Sequence, residues 1–362
     1  MTTQSPLDPF DRFCLRLGRG LIVLSLPLLV IVGAEGLARL LHEPAPIRRV
    51  YDPFAHRISQ PNLVDRFESL DGEHLTVQLN ELGMRGPRVT EPLAPDALTL
   101  VFLGGSTTEN YAFPRPETFP GLIAEHLRGR LGRPVRVFNA GMSAATTGTS
   151  LGRLQHQVLD LEPSLVVVMH GINDLVFGFH PSFRTDGRHL QRPPEADRQP
   201  RSYLLDWLRL RRSRNQAMKP AALGPRRSIE HFDDFLALRV FERNLRSMAA
   251  IATAHEVPIL FLTQATRYRL TPEPGDRTSF RLATAVAAQG GLPPDIPSLA
   301  RGMSAFNAAV LELPAAPGVH VFDLAAQVPL SEELIYDECH FTRAGNQRVA
   351  EVLGPIVESI LR

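Results

Sequence analysis

Five short runs of the chain are apolar without polar alternation: "LTLVFL" (98–103), "VRVFNA" (135–140), "LVVVMH" (165–170), "VPILFLT" (257–263) and "VHVFDL" (319–324). Runs of this kind are strands buried on both faces. Helical patterning fills the intervals at about 118–131, 147–161, 236–255 and 300–312, and a last helix over 343–361 follows the fifth run. Strands that alternate with helices predict an α/β chain built on a doubly wound, mostly parallel five-stranded sheet.

Two intervals break the rhythm. Residues 178–232 hold several prolines, no strand pattern and the stretch "LLDWLRLRRSRNQAMK", and a second irregular stretch runs over about 268–300. An insertion of such length after a strand is functional or disordered. Tyr203, Leu204, Trp207, Leu208 and Leu210 fall on one helix face, and Arg201, Arg209–Arg214, Lys219, Arg226 and Arg227 make the segment basic. It reads as a solvated amphipathic lid over the strand ends, or as a face for anionic lipid or an acidic glycan.

The chain opens with a different pattern. Gly20 to Ala34 is an uncharged apolar run preceded by Arg12, Arg16 and Arg19, and "EGLARLL" prolongs it as helix to Leu41. A bilayer needs about 20 apolar residues in a spanning helix; the extension supplies them and places Glu35 and Arg39 four apart on one face. An uncleaved signal anchor is expected, in preference to a cleaved signal peptide ending at Val32-Gly33-Ala34. The resulting division is 1–19 cytoplasmic tail, 20–41 transmembrane helix, 42–95 linker and pre-domain segment, and 96–362 main α/β domain with the insertion 178–232. Arginines stand on both sides of the span, so orientation rests on the usual outcome for an N-terminal anchor: the domain lies outside the cytoplasm, in the periplasm if the source is Gram-negative.

Composition narrows the function little. With 362 residues, 44% hydrophobic and 21% charged, the chain is ordinary globular material, and a net charge of +1 argues against a nucleic-acid partner. Cys14 and Cys339 show no metal-ligand spacing and flank the expected span, which argues against a disulfide.

The chemistry lies at the strand ends, where open parallel sheets bind ligands. Ser106 follows the first strand in "LGGSTTEN", Gly141 the second in "NAGMS", Asn173 and Asp174 the third in "HGIND", and Asp337 and His340 the fifth in "YDECHFTRAG". Each has a bland reading alone: a tight turn, a turn glycine, an Asx turn, a helix cap beside a surface histidine. Together they supply a hydroxyl, an imidazole to accept its proton, a carboxylate to fix the tautomer and donors for an oxyanion. The backbone N–H groups of Ser106 and Gly141 and the Asn173 amide are the expected donors. Position 108 is Thr, so this is not a G-x-S-x-G nucleophile elbow. "GGSTT" has neither the spacing nor the lysine of a P-loop. His170 reads as a core histidine, Cys339 as a small buried side chain, and Glu109 as a first-turn carboxylate without assigned chemistry.

These residues resemble the SGNH (GDSL-like) hydrolase superfamily, membrane-anchored bacterial type, whose four blocks centre on Ser, Gly, Asn and His. "LGGSTT" matches the first block with Gly105 where many members have aspartate, "NAGMS" the second, "GIND" the third and "DECHFTRAGNQRVA" the fourth; "LNELGMRGP" (79–87) resembles a segment that precedes the serine block in membrane-anchored members. The resemblance implies a three-layer α/β/α, flavodoxin-like domain, acyl chemistry through Ser106, His340 and Asp337, and no metal or organic cofactor. The expected function is a serine esterase acting on an acyl ester, an O-acetyl group of a glycan or lipid. The alternatives are an O-acyltransferase to a polysaccharide using the same acyl-enzyme, and a non-catalytic glycan-binding or assembly protein on the same fold.

Overall fold

The structure is a computed structural model that describes residues 8–41, 48–69, 72–92, 94, 96–188, 202–205, 207, 208, 211, 231–273 and 294–362. The chain divides into two compact units, Met1–Ile47 with Arg198–Pro225 and Arg48–Asp197 with Arg226–Arg362.

The first unit is built on α1 (Pro9–Leu41), a helix of 33 residues that contains the apolar run. Glu35 and Arg39 pair at 3.0 Å, as their spacing predicts. The Glu35 carboxylate also accepts from Ser202 Oγ at 2.7 Å and from the backbone N–H groups of Tyr203 and Leu204 at 3.0 and 3.1 Å. It thereby caps the first turn of the insertion's helical stretch, while the Arg39 guanidinium lies over the Tyr203 ring. Among the described residues, no helix is long and apolar enough to cross a membrane. That departs from the expected span at 20–41, whose side chains at 20–22 and 24 fall outside the described residues. Most of the insertion, and with it the expected lid, also falls outside them.

The second unit starts with two antiparallel hairpins, β1 (Arg49–Asp52) with β2 (His56–Ser59) and β3 (Val64–Glu68) with β4 (His74–Gln78). The segment expected as linker therefore carries regular structure. Its strands escaped the sequence pattern because they are partly exposed and carry charged positions, and β3 buries a charged residue, Asp65. That carboxylate accepts from the Tyr111 hydroxyl at 2.6 Å and pairs with Arg48.

The five apolar runs form one parallel sheet: β5 (Leu98–Gly104), β6 (Val135–Asn139), β7 (Leu165–Met169), β8 (Ile259–Leu262) and β9 (Val319–Phe322), in the order β6-β5-β7-β8-β9. The first strand lies between the second and third, which is the flavodoxin-like order. Among the described residues of this unit, the helices are α2 (Ser106–Glu109), α3 (Phe119–Leu131), α4 (Thr147–Arg153), α5 (Ile172–Phe177), α6 (Leu238–Ala254), α7 (Ile296–Leu311) and α8 (Arg343–Leu361). After α4 the chain continues through a π turn (Leu154–Val158) and a 3₁₀ turn (Leu159–Leu161), so the helical pattern at 147–161 is one run of three geometries.

Alternation along each strand builds the layers. Val101, Leu103, Val166, Val168 and Phe261 pack with Phe241, Leu245 and Met248 of α6 and Met303 and Phe306 of α7. Leu100, Phe102, Val167 and Leu260 pack with Phe119, Ile123 and Leu127 of α3 and Val349, Leu353 and Val357 of α8. The result is the expected three-layer α/β/α domain. Each such side chain contributes about 1.5–3 kcal/mol of burial.

Candidate active site

The strand order places a crevice at the carboxyl ends of β5 and β7, where the chain connections diverge to opposite sides of the sheet. β5 ends at Gly104, and Ser106 opens α2 directly behind it. A Cβ at Gly104 would meet Thr108 Oγ1 at 2.0 Å, so the tight exit from β5 requires a glycine there. Across the sheet, the turn before α8 carries Asp337 and His340, and the Thr342 hydroxyl caps that helix by accepting from Gly345 N at 3.0 Å.

Three side chains meet in line. Ser106 Oγ lies 2.7 Å from His340 Nε2, and His340 Nδ1 lies 2.7 Å from Asp337 Oδ2. Asp337 Oδ1 accepts from the backbone N–H groups of Cys339 and His340, both at 2.9 Å. Burial would raise the Asp337 carboxyl, but the His340 hydrogen bond and charge, with those two N–H groups, hold it below its ordinary value. Burial would likewise lower the His340 imidazole, yet it stands above its ordinary value. Cys339 and Asp337 are the neighbours that raise it, and the Asp337 carboxylate carries that direction once the thiol is neutral. Cys339 adds no charge, because burial pushes its thiol up and keeps it neutral. Tyr336 stacks on the imidazole at 5.6 Å and stays partly exposed.

Asn173 arrives from the start of α5, and its Nδ2 donates to Ala145 O at 2.8 Å, leaving its second amide hydrogen for another acceptor. A Cβ at Gly105 would come within 2.5 Å of that nitrogen, so glycine is what lets Asn173 sit beside the serine.

Gly141 does not meet the expectation. Its N–H donates to Asn139 Oδ1 at 2.9 Å, and a Cβ there would strike Glu109 N at 2.4 Å. This glycine allows the 139–145 turn to approach α2, and its donor is already taken. The neighbouring N–H groups are taken as well: Met142 by Gly104 O at 3.1 Å, Ser143 by Glu109 Oε2 at 2.7 Å and Ala145 by Met142 O at 3.0 Å. That leaves Ala144, held in the left-handed region at φ 64°, as the turn's candidate donor.

The match to a family model settles the kinship. Residues 102–348 match the GDSL-like Lipase/Acylhydrolase family. The chain belongs to this family. An arylesterase of Vibrio mimicus is 35% identical over 86 residues, which are 24% of this chain and 42% of that protein, so the chain spans under half the length of this relative. Two solved structures are similar over most of their length. A lipase/acylhydrolase from Enterococcus faecalis is 17% identical, with 72% of this chain and 96% of that one covered at a TM-score of 0.42. Axe2, an acetyl xylan esterase from Geobacillus stearothermophilus, is 16% identical, with 72% and 94% covered at 0.41. At that level of likeness neither structure's substrate carries over to this chain.

Around the GDSL-like site lies a buried polar frame that the sequence did not reveal. Glu109, fully buried, accepts from both the N–H and the hydroxyl of Ser143, at 2.7 and 2.6 Å; burial raises its carboxyl while those two bonds and the charge of Arg85 pull the other way. Arg85 donates to the carbonyls of Glu109, Asn110 and Phe113 at 2.8–2.9 Å, and its backbone bridges to Asn139. Arg153, also buried, joins Ala140 O to Leu82 O at 2.9 and 2.8 Å. A carboxylate in the first turn after the nucleophile and an arginine in "GMRGP" were the available signals. His170 is a core residue as expected: Nε2 meets Ser150 Oγ at 2.7 Å, Nδ1 lies 3.9 Å from Asp174 Oδ2, and burial lowers the imidazole to about 3. Both cysteines are free. Among the described residues, Asp337, Cys339 and His340 are the group whose atoms lie close enough to share a metal ion, within 4.8 Å, but the Asp337 and His340 atoms already serve the line to Ser106.

Proposed function

We propose that this chain is a serine esterase acting on a short acyl ester, an O-acetyl group of a glycan or lipid. The observation that carries the reading is the pair of 2.7 Å contacts that join Ser106 Oγ through His340 to Asp337. His340 Nε2 takes the hydroxyl proton as Ser106 Oγ attacks the ester carbonyl, and Asp337 holds Nδ1 protonated so that Nε2 is free to accept. The tetrahedral oxyanion is met by the Ser106 N–H, the second amide hydrogen of Asn173 and the Ala144 N–H. His340 then gives its proton to the departing alcohol, and a water repeats the sequence to release the acid.

Turnover of p-nitrophenyl acetate by the full chain in detergent tests this. Ser106→Ala and His340→Ala are each expected to lower kcat by roughly 10³-fold or more. An active Ser106→Ala protein would overturn the reading.

A second part of the proposal is an N-terminal membrane anchor, with the catalytic domain outside the cytoplasm, for which the exposed apolar side chains of α1 are the support. Val23, Leu26, Leu28, Leu29, Val30, Ile31 and Val32 are all exposed along α1, more apolar surface than a water-facing helix carries, and Glu35 and Arg39 neutralise each other at its end.

A further inference from the structure

The peptide between Ser143 and Ala144 carries the N–H assigned above to the oxyanion, and both of its neighbours are gripped. The Ser143 carbonyl, on the opposite edge of that peptide plane, accepts from Arg49 Nη1 at 3.2 Å. The Ser143 N–H, one peptide earlier, donates to Glu109 Oε2 at 2.7 Å, and the Ser143 hydroxyl donates to the same oxygen at 2.6 Å. In a trans peptide the C=O and N–H point in opposite directions. A cation on the oxygen therefore aims the N–H at the far side, and by drawing density toward the oxygen it makes that N–H a stronger donor. The grip also has something to hold, since Ala144 sits at φ 64°, a conformation that a residue with a Cβ avoids.

The source of these groups is unexpected. Glu109 closes the helix that Ser106 opens, so nucleophile and oxyanion turn are tied by one buried carboxylate. Arg49 begins β1, outside the 102–348 region that matches the family. Its charge also acts on Glu109. We propose that Arg49 and Glu109 are positioning residues that set and polarise the Ser143–Ala144 oxyanion peptide, which makes the N-terminal hairpin part of the catalytic apparatus. This rests on the esterase reading above.

The test uses the full chain and p-nitrophenyl acetate. Arg49→Ala is expected to lower kcat by about 10- to 100-fold, less than the roughly 10²–10³ lost with an outright donor, with KM within about twofold and an unchanged melting temperature. Guanidinium chloride at tens of millimolar is expected to restore part of that loss, and Arg49→Lys to fall between the two. Glu109→Gln, which keeps an acceptor oxygen, is expected to lose less than Glu109→Ala. Ser143→Ala gives the same reading with a smaller change in packing should Glu109→Ala fail to fold. In the double variant Arg49→Ala/Ser143→Ala the losses should not add. An active wild type with an Arg49→Ala protein of equal kcat, or one altered only in KM, would overturn the inference. An inactive wild type would instead sink the esterase reading.

Discussion

His340 accepts the Ser106 proton only when it is neutral, which ties the pH profile to one residue. Burial alone would lower its imidazole, but the Asp337 carboxylate at 2.7 Å raises it above the ordinary 6.5. Below the raised value the ring is protonated and the serine has no base, so kcat/KM should climb with pH along a limb that lies above 6.5. Asp337→Asn should move that limb to lower pH and depress the plateau; a limb that stays in place would remove Asp337 from the pair. At this scale the sequence pointed to Ser106, Asn173, Asp337 and His340, because hydroxyl, amide, carboxylate and imidazole each follow a strand, and Ser106 and Asp337 each lie within hydrogen-bond distance of His340. For the turn's donor it pointed to Gly141, whose N–H the structure pairs with Asn139 Oδ1. Gly141 drew attention as a glycine, whereas the left-handed position holds Ala144, a residue that gives no sign of positive φ. The bond from Gly141 N to Asn139 Oδ1 exists only once the turn has folded.

Among the elements, β5, β7 and β8 were legible because burial on both faces leaves uninterrupted apolar runs. The edge strands β6 and β9, which carry Arg136 and His320, were legible by their place between helical patterns. β1 to β4 were not, since half-exposed strands with charged positions look like loop. Packing between elements was also hidden. The 139–145 turn lies so close to α2 that a Cβ at Gly141 would stand 2.4 Å from Glu109 N. That neighbour is backbone and has no rotamer to escape into. Gly141→Ala should therefore lower stability by about 1–3 kcal/mol, read as a fall in the denaturant midpoint with an unchanged slope. A midpoint equal to that of wild type would mean the turn is looser than drawn.

At the scale of the molecule, the hairpin segment belongs to the catalytic unit. Leu82 and Arg85 contact the site's frame through Arg153 and α2, and Met84 lies wholly in the core. Helix α1 lies outside the family match, which begins at residue 102. Anchoring by α1 predicts that the full chain stays with membranes through alkaline carbonate extraction, while a chain beginning at Arg48 is released. Release of the full chain as well would exclude an integral anchor.

The central claim is an activated Ser106, and intact mass after exposure to a fluorophosphonate tests it most directly. The account predicts a single adduct on the full chain, absent from Ser106→Ala and slowed in His340→Ala. An unmodified protein, or an adduct that survives Ser106→Ala, would contradict it.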